Sequence, residues 1–158
     1  MSKLREAFEK GEFAITAEMA PPKGTDLSHL AECAKLGIGR VHAANVTDNQ
    51  SAVMRTSSLA TCKMLKDLGL EPVIQMTGRD RNRIAIESEM LSAGFFGIDN
   101  LLALTGDHVC VGDHKQAKPV FDLDAVSILS TATMMNNGTD STGLELKGKT
   151  DFFLGACV

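Results

Sequence analysis

Seven polar residues stand at or just past the ends of successive short apolar runs: Glu18, Asn45, Asp48, Gln75, Thr77, Thr105 and Asp107. Three of them are carboxylates, of which Glu18 and Asp107 suit proton transfer or facing a developing cation, and the amides and hydroxyls suit the edge of a polar ring. Glu18 lies in "ITAEMAPPKG", after an apolar run and just before two prolines. It reads either as a carboxylate that is paired or solvated at a strand end, or as a general acid that burial in a pocket keeps protonated. Pro21 and Pro22 would stiffen the turn that follows it. In "LALTGDH", Gly106 permits close approach of the backbone to a ligand, and Asp107 could accept a hydrogen bond or stabilise positive charge; a Gly-Asp pair is also simply a common turn.

"HVCVGDHKQAKPVF" follows, a connection long enough to suggest function. His108, Asp113 and His114 are metal-ligand types, yet they share that segment with Lys115 and Lys118, so contact with an anion or cofactor is the better reading and no metal is expected. In "VIQMTGRDRNR", Gln75 offers an amide to a ring edge, while Asp80, Arg81 and Arg83 are expected to cap and flank the next helix. Cys33, Cys62, Cys110 and Cys157 are widely separated and lack zinc-site spacing, so they read as thiols.

The elements that must carry these residues alternate. After a leading helix, strands are predicted at "FAITAEM", "RVHAANV", "PVIQMTG", "NLLALTG" and "DFFLGAC". Between them lie helices at "DLSHLAECAKLG", "SAVMRTSSLATCKMLKDLG", "NRIAIESEMLSAGFFG" and "DLDAVSILSTATMMNNG", with Gly37, Gly69, Gly97 and Gly138 expected as positive-φ caps. Such alternation requires a parallel sheet covered by helices, either open and doubly wound or closed as a (β/α)8 barrel. Periodicity does not separate the two. A barrel would gather the strand-end polar residues on one face, and neither the dinucleotide nor the P-loop glycine pattern of open sheets occurs.

With 158 residues, 44% hydrophobic and 23% charged, the chain suits a single domain, and a net charge of −4 disfavours nucleic acid as a partner. No signal peptide or membrane-length apolar run is evident, so a cytoplasmic protein without membrane association is expected. The chain stops in the predicted fifth strand, whereas a closed barrel ordinarily takes about 250 residues. Residues 1–158 are therefore expected to be the N-terminal part of a barrel, about the first four to five βα units, truncated there or completed by association through the open edge.

"AEMAPPKG", "NVTDNQ", "QMTGRDRNR", "LALTGDH" and "AKPVFDLD", in that order, resemble methylenetetrahydrofolate reductase, a flavin-dependent (β/α)8 barrel family. The resemblance spans nearly all of this chain and about the first half of the family's barrel. It implies a ping-pong reaction. A donor, NAD(P)H or a partner redox subunit, reduces FAD, whose N5 then passes a hydride to 5,10-methylenetetrahydrofolate to give 5-methyltetrahydrofolate. Glu18 would be the acid that opens the methylene bridge to an iminium, and Asp107 would sit by the flavin and stabilise that cation, both contacting substrate. The resemblance further implies flavin contacts from Asn45, Val46, Asp48, Gln75, Thr105, Gly106, Asp107, Phe121, Asp122 and Cys157. Two departures stand out: the aromatic residues around the family's first-strand Glu are Ala17, Met19 and Ala20 here, and the Arg of its Arg-Gly-Asp is Thr105. Homo-oligomerisation is also expected. Two other readings stay open: a non-catalytic flavin-binding or assembly module completed by another chain, and a folate-binding, methyltransferase-like barrel without flavin.

Overall fold

The computed structural model describes residues 2–157. Its elements run α1 (Lys3–Glu9), β1 (Thr16–Met19), α2 (Ser28–Gly37), β2 (Ala43–Val46), α3 (Ser58–Asp67), β3 (Pro72–Thr77), α4 (Arg83–Phe95), β4 (Asn100–Leu104), α5 (Ala125–Asn136) and β5 (Phe153–Ala156). All four strand pairings are parallel and the sheet order is β1-β2-β3-β4-β5. A doubly wound sheet reverses its strand order at a switch point. Here each strand lies beside its predecessor, an order compatible with part of a (β/α)8 barrel, and β1 and β5 form the two edges of the described sheet.

Side chains alternate along each strand, so the sheet has two distinct faces. One face carries Met19, Val46, Ile74, Met76 and Leu101, which pack against the helices in the larger core. Ile74 and Met76, in the middle strand, are fully buried, and such burial contributes about 1.5–3 kcal/mol per side chain. On the other face Leu4, Ala43 and Val73 form a smaller cluster, joined by Ala14, Leu102 and Phe153. Leu4 belongs to α1, which therefore closes the amino-terminal end of that inner face. The Glu71 carboxylate fixes α1 there by accepting from the main-chain N–H groups of Lys3 (2.6 Å) and Leu4 (3.1 Å), a favourable placement for an anion at a helix N-terminus. The opposite, carboxyl-terminal end of the inner face is left open for a site.

Two expectations about local structure are corrected. The segment from Ser51 to Ser57 does not join α3. Asn49, Ser51 and Ala52 have positive φ values of 45°, 56° and 55°, and the segment forms a short 3-10 turn over Gln50–Ala52. The helix starts only where the Ser57 side chain accepts from the Ala60 N–H. Gly37 is the last residue of α2 rather than a left-handed cap, and the positive φ falls two residues later, at Gly39 (74°). Gly69, Gly97 and Gly138 do adopt positive φ.

Candidate functional site

At the carboxyl ends of the strands an open cavity of about 350 Å³ is lined by Glu18, Thr47, Asp48, Gln75, Thr77, Arg79, Gly106 and Asp107, among others. Strand alternation accounts for the set. Glu18 is in register with Asn45, Gln75 with Leu102 and Thr77 with Leu104, so these residues share the inner face. Glu18 and Asp107, from the first and fourth strands, thus open onto one space with Gln75 between them.

Burial of Glu18 is not observed. It is exposed at the end of the edge strand β1, with no Lys or Arg partner among the described residues, while its neighbour Met19 is buried in the helix-facing core. The alternation that aims Glu18 into the cavity also leaves it without cover on the edge-strand side. Asn45 is on the same face, and its side-chain amide donates to Thr16 Oγ1 (3.1 Å). Val46 points the opposite way, fully buried against the helices, so its side chain does not reach the cavity. Thr105 Oγ1 accepts from the Ala125 N–H at the start of α5 (3.1 Å). Cys157 is exposed beyond β5.

Asp48 is buried. Its carboxylate accepts from the Thr77 N–H (2.8 Å) and Thr77 Oγ1 (3.0 Å), and pairs with Arg81. Arg81 also meets Glu89 on α4 (2.6 Å). Burial works against the Arg81 charge, but the two adjacent carboxylates more than offset it and hold the guanidinium above its ordinary pKa. The arginines and Asp80 therefore do not cap α4. Asn82 does, accepting from the Ala85 N–H, whereas Asp80, Arg81 and Arg83 pair with Arg79, Asp48 and Asp122, and the Arg81–Asp48 pair joins the segments that follow β3 and β2.

Arg79 is a buried residue on the cavity lining that the sequence did not single out. It is 2% exposed, lines the cavity, and donates to the Asp80 carboxylate and to the main-chain oxygens of Asn49 and Asp107. The available signal was an arginine two residues past the end of β3, after Gly78, where a helix-flanking residue has no reason to be buried.

The long β4–α5 connection is tied down across the rim. Asp113 pairs with Lys23 of the β1–α2 loop and lies 2.7 Å from His114 Nδ1. The Lys23 and His114 side chains hold the Asp113 carboxyl well below the usual range. Gly112 packs directly on the Ala52 carbonyl, where a Cβ would stand 1.9 Å from the oxygen. Farther along, Val120 and Phe121 donate to the carbonyls of Arg79 and Gly78. Phe121 has a φ of 44° and stacks its ring on His108 at 6.2 Å. The positive-φ residues other than glycine, Asn49, Ser51, Ala52 and Phe121, all lie in loops at this rim, and backbone strain of that kind concentrates at functional sites.

Asp122 faces Arg83, which donates to it from the main-chain N–H (2.9 Å), Nε (2.9 Å) and a terminal nitrogen (2.8 Å). The Arg83 side chain, then its N–H, lowers the Asp122 carboxyl from 3.8 to about 2. A depressed folded-state value contributes stability that is present above the ordinary value and lost as pH falls through the folded one. Between about pH 4 and pH 2 the acid-unfolding curve of Asp122→Asn is accordingly expected to be shallower than that of the parent, as read by circular dichroism.

The cavity fits a planar polar ring. Thr47 Oγ1, on its lining, is buried without a hydrogen-bond partner among the described residues. A Cβ at Gly106 (φ 90°) would stand 3.2 Å from the Cβ atoms of Thr77 and Arg79, so the missing side chain serves the packing of the turn. An orphaned hydroxyl and a ring-edge amide at Gln75 suit a flavin head group. Among the described residues no group of three or more His, Cys, Asp or Glu could hold a metal, and no helix is long and apolar enough to cross a membrane.

A family model described as methylenetetrahydrofolate reductase matches residues 3–137, which include every strand end described above except that of β5. No curated protein matches the chain.

Proposed function

Because the chain belongs to the methylenetetrahydrofolate reductase family, we propose that it provides the first four βα units and the fifth strand of a flavin-dependent (β/α)8 barrel that reduces 5,10-methylenetetrahydrofolate to 5-methyltetrahydrofolate. The observation that supports this reading best is the convergence of Glu18, Gln75 and Asp107 on one cavity. FAD, when bound, supplies the hydride that the methylene carbon of the substrate receives. The residues of this chain do the rest. Glu18 carries the proton that the folate nitrogen takes up as the methylene bridge opens. Asp107, whose carboxylate meets no protein donor among the described residues, faces the cation that opening creates. Thr47, Gln75 and the Gly106 backbone hold the flavin ring.

Glu18 is exposed in the chain described here, so this function includes a covering layer over β1, from further barrel strands or from substrate itself. A protein-bound proton donor works best with water excluded. The free edges of β1 and β5 are where such strands would add, in this chain or through another copy. The same two features favour a second reading, a flavin-binding or assembly module that becomes active only with a partner chain.

Titration of the chain with FAD, chemical reduction under anaerobic conditions and addition of methylenetetrahydrofolate separate these readings. Return of the oxidised flavin absorbance with formation of 5-methyltetrahydrofolate supports the reductase. FAD binding without reoxidation points to the module, and folate binding without any flavin binding points to a methyltransferase-like barrel.

A further inference from the structure

We propose that Arg79 is a positioning residue for this site, fixing the Asp107 turn and thereby the direction of the Asp107 carboxylate; the proposal rests on the reductase reading of Asp107. Four hydrogen bonds leave the buried guanidinium. Nε reaches Asp80 Oδ1 (2.8 Å), one terminal nitrogen reaches Asp80 Oδ2 (2.7 Å) and Asn49 O (3.0 Å), and the other reaches Asp107 O (3.2 Å). The bidentate ion pair with Asp80 accounts for two of these bonds. The other two run to main-chain carbonyls beyond the ends of β2 and β4, so one side chain from the end of β3 ties three adjacent strand ends together.

The Asp107 turn depends on that tie. Gly106, with a φ of 90° and no side chain, gives the turn rotational freedom. The Asp107 carboxylate itself is held by no protein donor among the described residues, and residue 107 is exposed. Its orientation is set by the backbone, and the side-chain bond to that backbone is the one from Arg79. Asp80 is in turn held by Asn49 Nδ2 (3.2 Å), which keeps the guanidinium from rotating. A lysine would retain the charge but lacks the planar fork that satisfies a carboxylate and two carbonyls together.

The test uses the full chain with Arg79→Lys. In the absence of FAD, the backbone order parameters of Asp107 and His108 from 15N relaxation are expected to fall below about 0.6 as the turn loosens, with those of β2 and β3 unchanged. In the FAD-loaded protein, folate turnover is expected to fall on the order of 10²-fold in kcat with little change in KM. In the Asp107→Asn background, adding Arg79→Lys is expected to cost almost nothing more, because the arginine acts through Asp107. Unchanged order parameters at residues 107 and 108, or full additivity with Asp107→Asn, overturns the proposal. An unmodified chain that shows no folate turnover removes the reductase reading alone, and the order-parameter measurement still decides whether Arg79 holds the turn. Should Arg79→Lys fail to fold, Arg79→Gln, which keeps a planar amide donor, carries the same expectations.

Discussion

Glu18→Gln is expected to leave flavin reduction at the parent rate while folate reduction falls by about 10² to 10⁴-fold, the usual contribution of a positioned acid or base. The two half-reactions separate because the carboxyl has nothing to do when the flavin accepts electrons. Only the opening of the methylene bridge needs a proton at the folate nitrogen. Glutamine is nearly isosteric and keeps the inner-face position that the register with Asn45 fixes. Glu18 is exposed and makes no side-chain hydrogen bond among the described residues, so the substitution breaks no contact on which the fold depends. Rapid-mixing absorbance of the flavin in each half-reaction measures the two rates directly. Folate reduction at the parent rate would remove Glu18 from the mechanism and transfer the proton to solvent or another group.

Much of the sheet was legible because each strand announces itself in two ways. "PVIQMT" and "NLLAL" are short apolar runs, and each is followed by Gly and charge where the chain must turn. The inner-face polar residues were legible for the same reason, since Glu18, Gln75 and Asp107 break apolar runs at their carboxyl ends. What escaped notice depends on the third dimension. Val46 is adjacent to Asn45 in sequence but faces the helices, a consequence of the period of two that a list of strand-end residues ignores. Thr47, one residue farther on, returns to the inner face and is the hydroxyl left without a partner. "RDRNR" reads as a solvated, helix-flanking charge run, yet Arg79 and Arg81 turn inward because Asp48, Asp80 and Glu89 meet them from three directions. Those pairings span up to 33 residues, so no local pattern contains them. For Glu18 the sequence left two readings open, a carboxylate at a strand end and one buried in a pocket; β1 is an edge strand among the described residues, and whether an edge is covered is not written in the strand itself.

Asp48→Ala is expected to destabilise the chain by about 3–5 kcal/mol, the range for removing one partner of a buried ion pair. Asp48 is 4% exposed, and its carboxylate serves three donors at once: the Thr77 N–H, the Thr77 hydroxyl and the Arg81 guanidinium. Alanine leaves all three short of an acceptor where water has little access, and the Arg81 guanidinium keeps Glu89 as its charged partner and a long bond to Thr77 O. That remaining partner places the expected loss toward the lower end of the range. Removing both charges should be milder, because an apolar pair of similar volume carries no desolvation cost. The double variant Asp48→Leu with Arg81→Met is therefore expected to unfold at a higher urea concentration than Asp48→Ala. The loss should also reach the cavity, since Thr77 is the last residue of β3 and lies two positions from Gln75 on the same inner face. FAD affinity measured by fluorescence quenching is expected to weaken in Asp48→Ala, and to recover less than stability does in the double variant, because leucine restores packing but not the acceptor that orients Thr77. Equal urea midpoints for Asp48→Ala and the parent would mean that the contacts of Asp48 with Thr77 and Arg81 add nothing to stability.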